Sequence, residues 1–376
     1  MIKLNVLADE IQAGPQLSVV VPTFNEATNI AELVNRLDVI LQGIRWEVIF
    51  VDDNSPDYTA RIARALAQKD RRIRVIHRVG RRGLSTACIE GMLASSAPYL
   101  AIMDGDLQHD EKLLPQMYHT LESKENLDIV VGSRYVDGGG LGDWNQGRAQ
   151  ISRFATWISR SVIKSNLKDP MSGFFMLRRE VITDSVDKLS GIGFKILLDI
   201  FASVSRDLQF KEIGYTFGVR HSGESKLDSL VAWEYIMLLL DKTIGQYIPV
   251  RFIPFALVGC VGVAVHMSAL WVTFIAFGTS FIMGQIVATL VAMTINFFLN
   301  NFLTYRDLRL RGWGLLTGWL SFSLACSIGA ISNVGISTYL FQENTTGWFS
   351  SALAGIIIGA VWNYAVTSVY TWNQKS

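Results

Sequence analysis

Hydrophobic and polar positions divide this chain into two stretches. Over the first 220 residues, short apolar runs alternate with segments whose apolar residues recur every three or four positions. The runs Leu17–Val21, Trp46–Val51, Ile73–Ile76, Tyr99–Met103 and Ile129–Val131 predict strands buried on both faces. Thr28–Leu41, Thr59–Gln68 and Leu84–Ser95 carry the helical period between them. This order predicts an α/β, Rossmann-like domain with a mostly parallel sheet and helices on both faces. Ligands of such sheets bind at the carboxyl ends of the strands.

Beyond residue 248 the pattern changes. Four segments, near 250–277, 282–303, 314–341 and 347–371, are long apolar runs. Each exceeds the roughly 20 residues a bilayer-spanning helix needs. Gly347 to Tyr370 contains no charged residue, which argues against a soluble helical core. An all-α domain of four transmembrane helices is therefore expected over 248–374.

Charge follows the same division. The chain is 50% hydrophobic and 18% charged, with nearly all the charge in residues 1–247. A formal net charge of +1 excludes a nucleic-acid partner as the expectation. Cys88, Cys260 and Cys326 are too scattered for a disulfide framework or zinc site. Arg306, Arg309 and Arg311 lie between the second and third segments, Lys242 and Arg251 before the first, and Lys375 after the last. The other two connections, Gly278-Thr279-Ser280 and Gln342 to Thr346, have neither Lys nor Arg. The positive-inside rule places both termini and the middle loop in the cytoplasm. Met1 to Gln16 lacks a signal-peptide pattern, so the first domain is expected to stay cytoplasmic, on a multi-pass protein of the plasma (inner) membrane.

Trp313, Trp348 and Trp372 sit near segment ends, where interfacial aromatics belong. His266, Gln285, Asn296, Asn300, Asn301, Asn333 and Asn363 lie inside the segments. They either line a path or hydrogen-bond between helices, the second being preferred. A homo-oligomer through the membrane domain is compatible with this pattern. Two basic amphipathic helices, about 147–166 and 226–247, are expected to lie on membrane lipid, with ordinary packing helices as the alternative.

Distinctive polar sequences follow the strands. Pro22-Thr23-Phe24-Asn25-Glu26 follows the first, Asp52-Asp53-Asn54-Ser55-Pro56-Asp57 the second, and Asp104-Gly105-Asp106-Leu107-Gln108 the fourth. Two carboxylates and an amide oxygen at alternate positions of a tight turn can converge on one hard cation, Mg²⁺ or Mn²⁺. Such a cation neutralises the diphosphate leaving group of a nucleotide sugar. The plain alternative is an acidic turn capping the next helix.

With Gly132-Ser133-Arg134-Tyr135, Asp169-Pro170-Met171-Ser172-Gly173-Phe174-Phe175 and Gly223-Glu224-Ser225-Lys226, these stretches resemble glycosyltransferase family 2, of GT-A fold. Within it they are similar to the polyprenyl-phosphate mannosyltransferases, the dolichol-phosphate-mannose synthase group. The resemblance covers about residues 17–230. Residues 248–374, with Asn296-Phe297-Phe298-Leu299-Asn300-Asn301, resemble the GtrA-like membrane domain. The implied organisation is a GT-A domain over 1–225, an interface helix over 226–247 and a membrane domain over 248–374. The family commonly has Tyr at Phe24, Gly at Tyr58, Ala at Gly105 and Pro at Asp110, which leaves the donor less determined than the fold.

The resemblance implies roles. Pro22, Phe24, Glu26, Val51 and Asp53 would line the base and ribose pocket; for Glu26, helix capping is the alternative. Asp104, Gly105, Asp106 and Gln108 would meet the sugar diphosphate, with Asp104, Asp106 and Gln108 as the metal set and Asp106 and Gln108 as its direct ligands. Arg134, Arg220 and Lys226 would contact donor phosphate, and Arg134, Arg148, Ser152 and Arg220 acceptor phosphate. Asp104, Asp106, Arg134, Arg148 and Arg220 form the implied catalytic set.

The implied reaction is inverting transfer of mannose from GDP-mannose to a polyprenyl (dolichyl) monophosphate. A phosphate monoester, with a second pKa of about 6, needs no general base. Asp199, where relatives with hydroxyl acceptors keep a base, is therefore read as positioning or structural. UDP-glucose is the alternative donor, disfavoured by the Asp169–Phe175 stretch. A processive polysaccharide synthase would need a Gln-x-x-Arg-Trp motif and is set aside as lacking one. A lipid-linked sugar translocator with a non-catalytic first domain is the reading from a different class.

Overall fold

The computed structural model describes residues 14–124, 126–140, 156–159, 162–163, 165–218, 229–245, 247–342 and 348–372. The chain divides into two units, Met1–Gln246 and Tyr247–Ser376.

The first unit is built on a seven-stranded sheet. Its strands are β1 (Leu17–Thr23), β2 (Trp46–Asp52), β3 (Ile73–His77), β4 (Tyr99–Ile102), β5 (Ile129–Ser133), β6 (Phe175–Arg178) and β7 (Phe210–Gly214). The spatial order is β3-β2-β1-β4-β6-β5-β7. All neighbouring pairs are parallel except those made by β6, which runs antiparallel to β4 and β5. Helices α1 (Ile30–Ile40), α2 (Thr59–Ala67), α3 (Leu84–Ala94), α4 (Leu113–Ser123), α5 (Arg179–Ser185) and α6 (Ile196–Ser203) follow strands or lie between them, and α7 (Ser229–Ile244) ends the unit.

Strand periodicity sorts the side chains into two cores. Val19, Val21, Val48, Phe50, Ala101, Phe174 and Met176 face one side with Ile30, Leu33 and Leu37 of α1 and Leu114 and Met117 of α4. Val20, Ile49, Val51, Leu100, Ile102, Phe175 and Leu177 face the other, with Cys88 and Met92 of α3, Ile196 and Ile200 of α6 and Leu238 of α7. Burial on both faces explains why the sequence shows continuous apolar runs rather than alternation. At Gly91 of α3 an added Cβ would lie 2.3 Å from Val20 Cγ1, so this glycine is what lets the helix seat on the sheet.

The second unit is helical: α8 (Phe252–Leu270), continued by a π-helical turn over Trp271–Ala276; α9 (Phe281–Leu299), continued by a π-helical turn over Asn300–Thr304; α10 (Trp313–Gln342); and α11 (Trp348–Tyr370). Four helices thus occupy the four apolar segments. Among the described residues, Phe252–Ala276 and Ile286–Thr304 are long and apolar enough to cross a bilayer, with mean hydropathies of 2.0 and 1.7. The interior of this unit is a small ring cluster of Phe255, Phe297, Tyr305, Phe322 and Trp372. Trp372 stacks on Tyr305 with centroids 4.2 Å apart. Outward-facing residues such as Val263, Leu324 and Ile331 are large, apolar and exposed, a surface suited to lipid rather than water. Of the polar residues within these apolar segments, Asn300 donates to Asn296 O and accepts from Thr304, while Asn301 bonds Leu310 and Trp372. For these two, internal hydrogen bonding is what the structure provides.

Candidate active site

All four described non-glycine residues with positive φ lie in loops at the carboxyl ends of strands. Asn25 follows β1, Asn54 and Tyr58 follow β2, and Leu107 follows β4, with φ of 61°, 56°, 69° and 61°. Left-handed backbone costs a non-glycine residue about 1–2 kcal/mol, least for Asn. Strain therefore concentrates along one sheet edge.

Leu107 is the most telling of these. Its side chain is buried in the core beneath the sheet edge, which anchors the reversed backbone. The turn places Asp106 and Gln108 on either side of that anchor. Asp106 is buried and accepts the Gln108 N–H at 3.2 Å. Gln108 Nε2 donates to Gly218 O at 2.9 Å, and Gly218 N–H returns a bond to Gln108 O at 2.8 Å. The Nε2 bond holds the Gln108 amide beside Asp106 at the turn. Asp104, about one-third exposed, sits at the mouth of the turn. Two carboxylates and an amide oxygen are the hard donor set that Mg²⁺ or Mn²⁺ takes. No group of three or more His, Cys, Asp or Glu gathers as a cation cage among the described residues. A cation here would complete its shell with water and substrate phosphate, as Mg²⁺ commonly does.

His109 was not among the expected site residues, although it directly follows the Asp104–Gln108 stretch. Its Nδ1 accepts the Asp104 N–H at 3.1 Å, and its ring stacks on Phe174 at 5.1 Å. Burial lowers its pKa to about 4, partly opposed by the charge of Asp106. The ring is therefore neutral at pH 7, which is what an acceptor Nδ1 requires. Gly173 lies against both groups: a Cβ there would be 3.4 Å from Asp104 Oδ2 and 3.5 Å from His109 Cε1.

The first two loops are tied together beside this turn. Glu26 accepts from Asn29 Nδ2 at 2.7 Å, and its backbone N–H donates to Thr59 Oγ1 at 3.0 Å. Its Cγ lies 3.5 Å from the position of a Cβ on Gly105, so the β1 loop and the acidic turn are neighbours. Asp57 accepts from Ala27 N–H and from Thr59, joining the β1 and β2 loops. Asp53 Oδ2 accepts the Gly83 N–H at 2.8 Å, and Arg78 Nη1 lies 2.8 Å from Oδ1. Burial raises the Asp53 pKa against the pull of those partners. The Arg82 guanidinium sits 4.5 Å over the Phe24 ring. Pro22 lies near the end of β1, opposite Val51. The Val51 side chain is buried in the core, so it presents backbone to this edge.

Arg134 closes the other side. It follows β5 and grips Asp169 through Nε at 2.8 Å, Nη2 at 2.7 Å and its backbone N–H at 3.0 Å. Burial opposes its charge, but the hydrogen bonds and charge of Asp169 outweigh this and raise its pKa further. Asp169 is fully buried. Lys195, another cation the expectations did not include, donates to Met171 O at 3.1 Å, within the same 169–173 turn. No sequence pattern pointed to Arg78 or Lys195; tertiary placement alone gives them their partners. Arg148, Ser152, Arg220 and Lys226 lie outside the described residues, as does most of the expected 147–166 helix.

Of two further sequence readings, the structural role of Asp199 is kept and the absence of a Gln-x-x-Arg-Trp motif is corrected. Asp199 is fully buried and paired with Lys242, so it is structural rather than a base. The Gln-x-x-Arg-Trp spelling does occur, at Gln42-Gly43-Ile44-Arg45-Trp46. It leads into the amino end of β2, on the edge opposite the acidic turn, so it cannot serve the same site.

Comparison with known proteins identifies the families of both units. Residues 18–185 match glycosyl transferase family 2, and residues 254–372 match the GtrA/DPMS transmembrane domain. The dolichol-phosphate mannosyltransferase of Pyrococcus furiosus is 35% identical, over 95% of this chain and 99% of its own. That of Saccharomyces cerevisiae is 36% identical, over 62% of this chain and 88% of its own. Among solved structures, glucosyl-3-phosphoglycerate synthase from Mycobacterium tuberculosis aligns with a TM-score of 0.45 and 21% identity, over 61% of this chain and 81% of that one. With a family 2 glycosyltransferase domain and a membrane-associated GtrA/DPMS domain in one chain, this protein belongs to the dolichol-phosphate mannosyltransferase family.

Proposed function

We propose that the chain transfers mannose from GDP-mannose to a polyprenyl monophosphate of the dolichyl type, with inversion at the anomeric carbon. The observation that carries this reading is the Asp104–Gln108 turn, strained at Leu107 and clamped to Gly218, on a chain similar end to end to a dolichol-phosphate mannosyltransferase. Asp106 and Gln108 would hold Mg²⁺ or Mn²⁺ with Asp104 beside them. Bound there, the cation supplies charge neutralisation for the departing nucleoside diphosphate.

The chain's own residues do the rest. Pro22, Phe24, Glu26, the Val51 backbone and Asp53 position the nucleoside. Arg134, held rigid by Asp169, directs positive charge toward the phosphates. Arg220 and Lys226 follow Gly218 in the chain and are assigned to donor phosphate; Arg148 and Ser152 are assigned to acceptor phosphate. The acceptor is already anionic at neutral pH, so catalysis rests on in-line placement and charge stabilisation rather than on a base. A single displacement on an α-linked donor leaves a β-linked product.

The membrane unit is proposed to span the bilayer four times, with both termini, the catalytic unit and the Arg309 loop cytoplasmic. Cysteines placed at Thr279 and Thr345 should react with an impermeant maleimide added to intact cells, and one at Arg309 should not. The reverse pattern would invert the topology.

The function is tested with purified protein, polyprenyl phosphate and either GDP-mannose or UDP-glucose, with Mg²⁺, Mn²⁺ or chelator. Cation-dependent mannosyl transfer, lost in Asp106→Ala with folding retained, is expected. Glucose transfer alone, or full turnover by Asp106→Ala, would overturn the donor or the cation assignment respectively.

A further inference from the structure

The second unit contains a groove of mixed character. Ile295, Phe298 and Phe302, from α9 and its π-helical end, line it together with Leu315 of α10. Its volume is about 630 Å³, inside the roughly 300–1,000 Å³ of small-molecule sites. Arg309 and Arg311 complete the lining, and both are exposed. No ion pair with a described carboxylate involves either one. Apolar walls beside two cations fit neither a purely hydrophobic ligand nor a small soluble anion.

The loop bearing these arginines is built in advance of any ligand. Asn301 Oδ1 accepts from Leu310 N–H at 2.8 Å and from Trp372 Nε1–H at 3.0 Å. Asn301 Nδ2 donates to Leu310 O at 3.3 Å. The residue between the two arginines is thus fixed on both its backbone groups. Gly312, with φ of +55°, turns the chain into α10. The Arg309 guanidinium lies 4.8 Å from the Phe302 ring, so one cation already rests on the apolar wall. Pre-organisation of this kind lowers the entropic cost of binding.

We infer that this groove holds an acidic glycerophospholipid of the membrane, with an acyl chain along Ile295, Phe298 and Leu315 and its phosphodiester against Arg309 and Arg311. Arginine forks match phosphate oxygens, and basic pockets at the ends of membrane helices favour acidic headgroups. The inference rests on the membrane reading of this unit. It is independent of the donor and acceptor assignments, because every lining residue belongs to the second unit.

Native mass spectrometry of the full-length protein in detergent, titrated with phosphatidylglycerol or phosphatidylcholine, tests this. Wild-type protein should retain phosphatidylglycerol in clear preference. Arg309→Gln/Arg311→Gln should lose roughly tenfold or more of that retention, the scale two arginines give against anionic lipid. Leu315→Trp, which fills the groove and keeps both charges, should lose it as well. Mannosyl transfer in detergent should persist in all variants, so failure of the catalytic reading would appear separately, as absent transfer with intact lipid retention. Equal wild-type retention of the two lipids overturns the inference without needing any variant to fold. So does unchanged retention in both variants. Displacement of phosphatidylglycerol by equimolar polyprenyl phosphate, dependent on Arg309 and Arg311, would assign the groove to the acceptor instead and equally overturn it.

Discussion

Lys242 Nζ lies 2.6 Å from Asp199 Oδ1, and both side chains are buried. Asp199 also accepts from the Ser190 hydroxyl at 2.8 Å and from the N–H groups of Ser190 and Gly191 at 3.0 and 3.1 Å. Lys242 reaches Lys188 O and Ser203 Oγ as well. The pair fastens α7, the last helix of the catalytic unit, to α6. Removing one partner of a buried ion pair costs about 3–5 kcal/mol. Asp199→Asn and Lys242→Met should each lower the melting temperature markedly, and Asp199→Asn/Lys242→Met should be less damaging than the two single changes summed. A catalytic base would behave otherwise: Asp199→Asn would melt normally and transfer slowly.

Asp169→Asn should act on the site through Arg134. It leaves the buried guanidinium without its counter-charge, at a cost again of about 3–5 kcal/mol. Arg134→Lys cannot make the two-pronged contact and should reduce transfer more than it reduces thermal stability. Equal turnover of Arg134→Lys and wild type, at equal donor concentration, would detach this arginine from catalysis.

His109 gives the fold a pH dependence of known sign. Its folded pKa of about 4 lies below the usual 6.5, so between those values the unfolded chain binds a proton that the folded chain refuses. Stability is then complete above about pH 6.5 and falls as pH drops toward 4, by at most about 3 kcal/mol. His109→Phe, which keeps the stack on Phe174, should flatten this slope. Thermal melts in chelator at pH 7.5 and pH 5 measure it, and an unchanged slope in the variant would place the titration elsewhere.

Two positions where the chain departs from its family have local explanations. Tyr58 is exposed and left-handed, a conformation glycine adopts without steric cost. Tyr58→Gly should therefore be neutral or stabilise by up to about 1 kcal/mol. At Gly105 an added Cβ would meet Thr23 and Val21 at 3.4 Å, ordinary contact. Gly105→Ala should fold normally and gain about 0.4–1 kcal/mol from a less flexible unfolded chain. Chemical denaturation of each variant checks both; a loss above 1 kcal/mol in either would contradict the geometry.

The parallel strands were legible because double burial leaves unbroken apolar runs, and the acidic turns were legible because they follow those runs. Strand β6 was not read as a strand. Its Phe175–Arg178 run is short and begins at the last residue of a motif recognised for its chemistry. Strand β7 was missed for another reason: Phe210–Gly214 is only partly buried and carries Lys211 and Glu212. The roles of Arg78, His109 and Lys195 depend on partners distant in sequence or held by backbone geometry. A composition pattern cannot supply such partners. Asp199 was separable from a base by acceptor chemistry alone, and its ion pair supplies the physical reason.

The Arg134–Asp169 clamp also makes residues 135–168 an excursion that starts and finishes at one spot. Because β6 is reversed, the segment entering it arrives at the same sheet edge from which β5 departs. The path between can then lengthen at a modest entropic cost, about 0.6 kcal/mol per doubling, without moving either end. Ends fixed in this way are what an exchangeable span requires. Exchanging it between relatives should transplant whatever that span recognises while leaving the acidic turn and the loops after β1 and β2 in register.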